Sequence, residues 1–120
     1  RDAIDAGYLR YVQPDIGKWG GFAGGRAVAR HAAVRGATFC PHWLAGGIGL
    51  AGSMHLRAAM GEGGYVEVDA NPNPLREEVC DWRIIDGMVE LPSKPGLGCE
   101  PDLARLARFL SRPRPPDDEQ

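Results

Sequence analysis

The sequence predicts an α/β fold of parallel strand–helix crossovers, and three observations lead there. Short apolar runs at residues 9–13, 37–40 and 65–68 are separated by two segments of helical length and pattern. Strand, helix, strand, helix, strand is the order that right-handed parallel crossovers need. Each run also delivers a polar side chain at or near its end: Asp15, His42 and Glu67, with glycine-rich or loop sequence close by. Consecutive parallel strands would carry all three groups to one carboxyl edge, where open α/β sheets and barrels place their chemistry.

The elements follow in order. Residues 2–7, DAIDAG, read as the last turns of a helix with a glycine C-cap. Because the chain opens with Arg1 rather than Met, we expect it to start inside a larger fold. Strand one is residues 9–13, and a turn through Gly17, Gly20 and Gly21 leads to a helix over 22–35. The apolar side of that helix is assigned to Phe22, Ala27, Val28, Ala32, Ala33 and Val34, with its arginines on the outer face. Strand two is 37–40, and a second helix spans about 48–60, apolar on most sides and therefore buried. Residues 61–64, GEGG, break it before strand three at 65–68.

Beyond Asp69 the pattern changes. Asn71-Pro72-Asn73-Pro74 predicts an extended, turn-rich loop, because each proline disfavours helix at the residue before it. Asp86-Gly87, flanked by Arg83-Ile84-Ile85 and Met88-Val89-Glu90-Leu91, is the clearest hairpin signal. Pro101 is placed in the first turn of a short helix reaching about Leu110. Residues 111–120 are proline and charge without apolar content, so a disordered tail is expected there, leaving 1–110 as the folded portion.

Composition narrows the function classes. The chain is 43% hydrophobic and 25% charged, and its net charge of -2 comes from interspersed signs, so it carries no electrostatic footprint for nucleic acid or an anionic membrane. Residues 36–56 hold no Lys, Arg, Asp or Glu, yet Pro41, His42, His55 and several glycines make that stretch too polar and broken for a membrane span. Cys40, Cys80 and Cys99 form no CxxC pair and are odd in number. We therefore expect reduced thiols in a cytoplasmic protein. No basic-then-apolar leader pattern opens the chain.

Three parallel strands make a poor free-standing sheet with two open edges, so the chain is expected to be the C-terminal part of a larger barrel. Gly47-Ile48-Gly49-Leu50-Ala51-Gly52 matches GxGxxG. A dinucleotide site needs those glycines directly after the strand, whereas here residues 41–46 intervene, and we set that reading aside.

The ordered motifs then resemble a known family. Gln13-Pro14-Asp15, Lys18, Gly20-Gly21, Pro41-His42-Trp43-Leu44, and Glu67-Val68-Asp69 followed by Asn71-Pro72 are similar to the C-terminal barrel of the enolase superfamily, in its mandelate racemase subgroup. The likeness runs from residue 1 to about 110. It implies the last three strands of a (β/α)8 TIM-type barrel, plus a hairpin and helix segment returning to a capping domain. It implies abstraction of the proton alpha to a carboxylate, with His42 as general acid/base, Asp15 as its dyad partner and Glu67 sharing a hydrogen bond with the substrate carboxylate. It also implies Mg2+, held by carboxylates on earlier strands with a second base there, none of which is in this chain. The expected substrate is a small hydroxy acid or sugar acid, and the complete enzyme is expected to be a homo-oligomer.

Acid-sugar dehydration is the first reading of the reaction, racemisation or epimerisation of a 2-hydroxy acid the second, and a non-catalytic truncated fragment the third. The chemistry suits these residue types, since imidazole titrates near neutrality and can take and return a proton. Simpler roles stand beside it: a turn carboxylate for Asp15, a histidine packed on Trp43 for His42, and an arginine pair for Glu67. Lys18 is expected to be solvated or paired with Asp15. His31 and His55 have no partner at ligand spacing, and Asp69 and Asn71 are expected to shape their loop.

Overall fold

The computed structural model describes residues 1–80 and 82–111. A one-turn helix α1 (Asp2–Asp5) leads through Gly7 into strand β1 (Tyr11–Val12). Helix α2 (Gly21–Val34) crosses to strand β2 (Thr38–Phe39), and helix α3 (Gly47–Ala58) follows. β1 and β2 pair in parallel with Tyr11 opposite Thr38 and Val12 opposite Phe39, as the strand–helix–strand pattern requires. The pairing runs past the strand ends. Cys40 N–H donates to Val12 O at 2.9 Å, His42 N–H donates to Pro14 O at 3.1 Å, and Asp15 and His42 form a parallel bridge.

Helix α2 buries only part of the face read from its hydrophobic residues: Ala32 is buried and Val28 packs on the core. Gly25, Ala29 and Ala32 are the buried stripe, at i, i+4 and i+7, while Phe22 and Val34 are exposed. Small residues win there because α2 packs closely on β2 and α3: a Cβ on Gly25 would come within 2.5 Å of the Leu56 side chain. Two apolar clusters result, Ile4, Val12, Ala32 and Ala37 at one end, and Ile16, Ala29, Phe39 and Leu56 under the strand ends. Helix α3 is buried over most of its surface, through Leu50, Ala51, Met54 and Leu56.

The expected third strand forms no ladder among the described residues. Residues 65–68 run beside the end of β2, joined by Glu67 N–H donating to Pro41 O at 3.3 Å. Proline explains the break, since Pro41 has no N–H with which to return a ladder bond. Gly64, at φ +81°, brings the segment in, and a Cβ there would lie 2.6 Å from Phe39 O.

The remainder is a small annex. Helix α4 (Pro74–Glu77) starts inside the region expected to be loop, with proline in its first turn. Strands β3 (Ile84–Ile85) and β4 (Met88–Val89) form the expected antiparallel hairpin, with Asp86 at φ 51° and Gly87 at φ 73°. Helix α5 (Leu103–Leu106) continues as a 3-10 turn, Ala107–Phe109. Pro101 lies ahead of this helix rather than in its first turn, because Asp102 is the cap: its carboxylate accepts from the N–H groups of Ala104 and Arg105, both at 3.0 Å.

The expectation of three reduced cysteines is overturned. Cys80 and Cys99 are joined in a disulfide, with Cα atoms 4.7 Å apart, and Cys40 alone is free and buried. The hairpin folds the intervening chain back and so brings together two cysteines that are 19 residues apart. The bond sits in an apolar cluster with Ala51 and Val79, onto which Trp82, Leu97 and Leu106 pack. The expected tail lies outside the described residues except for Ser111, and among the described residues no helix is long and apolar enough to cross a membrane.

Candidate active site

His42 is placed by backbone first. Its N–H is bonded to Pro14 O at the end of β1, so the residue sits beside Asp15 across the parallel bridge. Its ring then turns to Glu67: Nδ1 contacts Glu67 Oε2 in a close hydrogen-bonded ion-pair geometry. The same Glu67 oxygen lies 3.4 Å from Gln13 Nε2. Both His42 and Glu67 are partly exposed, 28% and 37% at the side chain, which leaves the pair open to a small molecule. Glu67 therefore pairs with histidine, not with an arginine.

Asp15 is committed elsewhere. Its Oδ1 accepts the Gly17 N–H at 2.8 Å, an Asx-type turn, and its Oδ2 lies 3.2 Å from Lys18 Nζ. Burial pushes this carboxyl up, but the Gly17 N–H, the Lys18 ammonium and nearby His42 together outweigh that and hold it below the ordinary carboxylate range. Asp69 is also held low, chiefly by the Asn71 N–H, against burial and with help from the Asn71 side chain and Arg76. It accepts from Asn71 N–H at 3.0 Å and from Asn71 Nδ2 at 2.8 Å, so it shapes its loop as expected.

Several contributors, some of them within the quoted motifs, were given no role of their own from the sequence. Trp43 donates Nε1–H to Gly46 O at 2.8 Å, and its ring packs on the Ile16, Ala29, Phe39 and Leu56 cluster beneath the site. Of the glycines in the GxGxxG match, Gly49 serves this packing, while Gly47 meets Arg76 and Val79 instead. Gly47 and Gly49 lie inside α3, and a Cβ on Gly49 would fall 2.0 Å from the indole. Gln13, with Tyr11 and Tyr65, whose ring centroids are 6.5 Å apart, lines an open recess of about 340 Å3 that Glu67 also lines. Arg76, almost fully buried, fixes the loop after Glu67 by donating to Asn71 O and lying 3.8 Å from Asp69. A basic residue following Asn-Pro-Asn-Pro was the available signal. Another recess, about 480 Å3 and mostly apolar, lies between α1, β1 and α2 and holds none of the three predicted groups. His31 lies 2.9 Å from Asp5 without hydrogen-bond alignment, and His55 Nε2 is 3.2 Å from Leu97 O.

Among the described residues, no group of three or more His, Cys, Asp or Glu could hold a metal ion. Enolase-superfamily members generally use Mg2+. Asp15, Glu67 and Asp69 do not fit that role as a set, because each is separately engaged.

The parallel crossover, with one imidazole and two carboxylates at or beside its strand ends, makes this an α/β domain with acid–base groups gathered at one edge. Residues 1–105 match the family model described as enolase C-terminal domain-like, and the chain belongs to that family. It is 30% identical over 117 residues to D-galactarolactone cycloisomerase of Agrobacterium fabrum, covering 89% of this chain and 31% of that protein. It is 34% identical over 89 residues to arabinonate dehydratase of Saccharolobus solfataricus, covering 72% of this chain and 24% of that one. A crystal structure of a mandelate racemase/muconate lactonizing enzyme from Bordetella bronchiseptica superimposes with a TM-score of 0.78 at 42% identity, over 91% of this chain and 31% of the other. The chain thus spans less than a third of the length of each of these relatives.

Proposed function

We propose that this chain forms the histidine-bearing portion of an enolase-superfamily enzyme that removes the proton alpha to the carboxylate of a small acid sugar and expels water from the neighbouring carbon. In this reading β1, β2 and residues 65–68 correspond to the sixth, seventh and eighth strand units of a (β/α)8 barrel. The observation that carries it is the placement of His42 at a strand end, with a carboxylate on Nδ1 and the opposite ring nitrogen left to act on substrate. His42 takes the alpha proton, the C–H electron pair moves into the enediolate, and the protonated imidazole gives that proton to the departing hydroxyl, which leaves as water. The enol then tautomerises to a 2-keto acid. The kinship to an arabinonate dehydratase supports this reaction class.

Racemisation of a 2-hydroxy acid is the second reading, favoured by the 42% identity to the mandelate racemase/muconate lactonizing enzyme structure. There the proton returns to the carbon, and no hydroxyl is lost.

The deciding experiment uses the full-length protein with a panel of acid sugars and hydroxy acids in deuterated water. His42→Asn is expected to lower alpha-deuterium incorporation and turnover by about 100-fold or more, the usual scale of a lost general base. Appearance of a 2-keto acid selects dehydration, and inversion without it selects racemisation. Undiminished turnover in His42→Asn would sink the reading.

A further inference from the structure

Helix α4 touches both chain segments that follow the predicted site residues. Its Arg76 donates to Asn71 O and lies 3.8 Å from Asp69, in the loop just after Glu67. It also meets the start of α3, in the segment that follows His42. A Cβ on Gly47 would stand 2.8 Å from Arg76 O and 3.2 Å from the Val79 side chain, and one on Gly46 would stand 3.5 Å from Leu75 O. Gly46 O in turn accepts the Trp43 indole N–H at 2.8 Å. Four residues make barely one helical turn, too few to be stable alone, so α4 stands only where its surroundings hold it.

Two holds meet at its C-terminal end. Cys80 is bonded to Cys99, and the far side of that bond is fixed to α3, because Leu97 O lies 3.2 Å from His55 Nε2 and Leu97 packs on the cluster that includes Ala51. The second hold is ionic: Glu78 Oε2 accepts from Arg108 Nη2 at 2.7 Å and lies 3.2 Å from Arg105 Nε. We propose that the Cys80–Cys99 bond is a redox-operated latch on α4, and that its reduction by a dithiol loosens the loops behind His42 and Glu67 together. The effect on the loops is independent of the proposed reaction, and only the resulting fall in turnover rests on it.

The step is a thiol–disulfide exchange. A thiolate of the dithiol attacks one sulfur of the bond and displaces the other as a thiolate, leaving a mixed disulfide. The dithiol's second thiol then displaces the first cysteine. The dithiol ends as a disulfide and Cys80 and Cys99 as two thiols, two electrons and two protons having passed to them. Cys80 lines an open recess of about 300 Å3, which gives the reductant its approach, while Cys40 is buried, single and takes no part. Once the covalent hold is gone, the ion pairs of Glu78 remain. Their arginines are more than half exposed, so salt screens these pairs, whereas salt has no purchase on the sulfur bond.

Hydrogen exchange of the full-length protein, oxidised and after native treatment with dithiothreitol, tests the latch. We expect reduction to speed amide exchange at residues 44–47 and 69–78 by about 10-fold or more, with the middle of α2 unchanged and the slow rates restored on reoxidation. Added salt should quicken those amides further in the reduced protein and not in the oxidised one. Turnover should fall on reduction and return with the bond. Cys80→Ala combined with Cys99→Ala should match the reduced protein and ignore dithiothreitol. A bond that stays oxidised in the native protein, by thiol labelling, would overturn the latch as a redox device. Reduced protein with unchanged exchange, or with only one loop quickened, would overturn the hold of α4 on both. Faster exchange with undiminished turnover would overturn the link to the site. If the double variant does not fold, the oxidised and reduced states of the unaltered protein decide. The exchange measurement needs no substrate, so it fails or succeeds separately from the His42→Asn experiment.

Discussion

The indole of Trp43 occupies the space beside Gly49: its Cζ2 atom lies 2.0 Å from where a Cβ on that glycine would stand. Glycine there lets α3 approach the ring that floors the site, so Gly49→Ala forces either helix or indole to move. We expect a loss of about 1–3 kcal/mol, the usual cost of overpacking a filled core. Urea unfolding followed by tryptophan fluorescence measures it, and an unchanged midpoint with an unchanged emission maximum would contradict the wedge.

Acid sensitivity follows from Asp15. Its folded carboxyl binds a proton less readily than the unfolded one, so the unfolded chain takes up more protons as pH falls. The stability it contributes is present above the unfolded value of about 3.9 and is lost as pH drops through the lower folded value. Lys18→Met removes one cause of the depression, so its acid-unfolding midpoint should move slightly upward in pH while stability at neutral pH changes little, since exposed ion pairs are weak. Circular dichroism across a pH series reads both.

The disulfide gives a thiol count. Under denaturing, non-reducing conditions one free thiol, Cys40, should react, and three after reduction. Replacing Cys80 and Cys99 by alanine should cost about 2–4 kcal/mol through the freed loop. Three reactive thiols before reduction would remove the bond from the picture.

Arg76 ties the loop that follows Glu67 to the body of the fold. Arg76→Met keeps much of the apolar stem but leaves Asn71 O and Asp69 without their cation, for an expected loss of roughly 1–3 kcal/mol. Hydrogen exchange should show faster amides at residues 69–73, with α2 unaffected.

Much of the crossover was legible because its signals are local. Helices α2 and α3 and the Asp86-Gly87 hairpin follow from spacing and turn chemistry, and each lies within two residues of its expected bounds. Residues 65–68 had the apolar alternation of a strand, but Pro41 on the neighbouring segment denied them a ladder, and that conflict appears only once the segments are side by side. The buried face of α2 was partly misassigned because hydrophobicity ranked Phe22 and Val34 above Gly25, whereas closeness of packing ranks them the other way. The disulfide was missed for want of a spacing motif, although a hairpin midway between Cys80 and Cys99 is the signal that would have found it. At the site, the types of His42, Glu67 and Asp15 and the local Asp15–Lys18 pair were readable, but the His42–Glu67 pair was not. Lys18 is three residues from Asp15 and competes locally, while Glu67 reaches His42 only through the fold.

Trp43 between Gly17 and Gly49 also bears on heritable variation. A Cβ at position 17 would come within 2.9 Å of the indole, and at position 49 within 2.0 Å. Every amino-acid replacement of a glycine adds at least that atom, so neither position can drift alone. In a saturation library selected for folding, positions 17, 43 and 49 should be depleted as a set. New substrate preferences in descendants of this chain would then have to arise around the Tyr11, Gln13 and Tyr65 recess, leaving the floor beneath His42 fixed while its walls diversify.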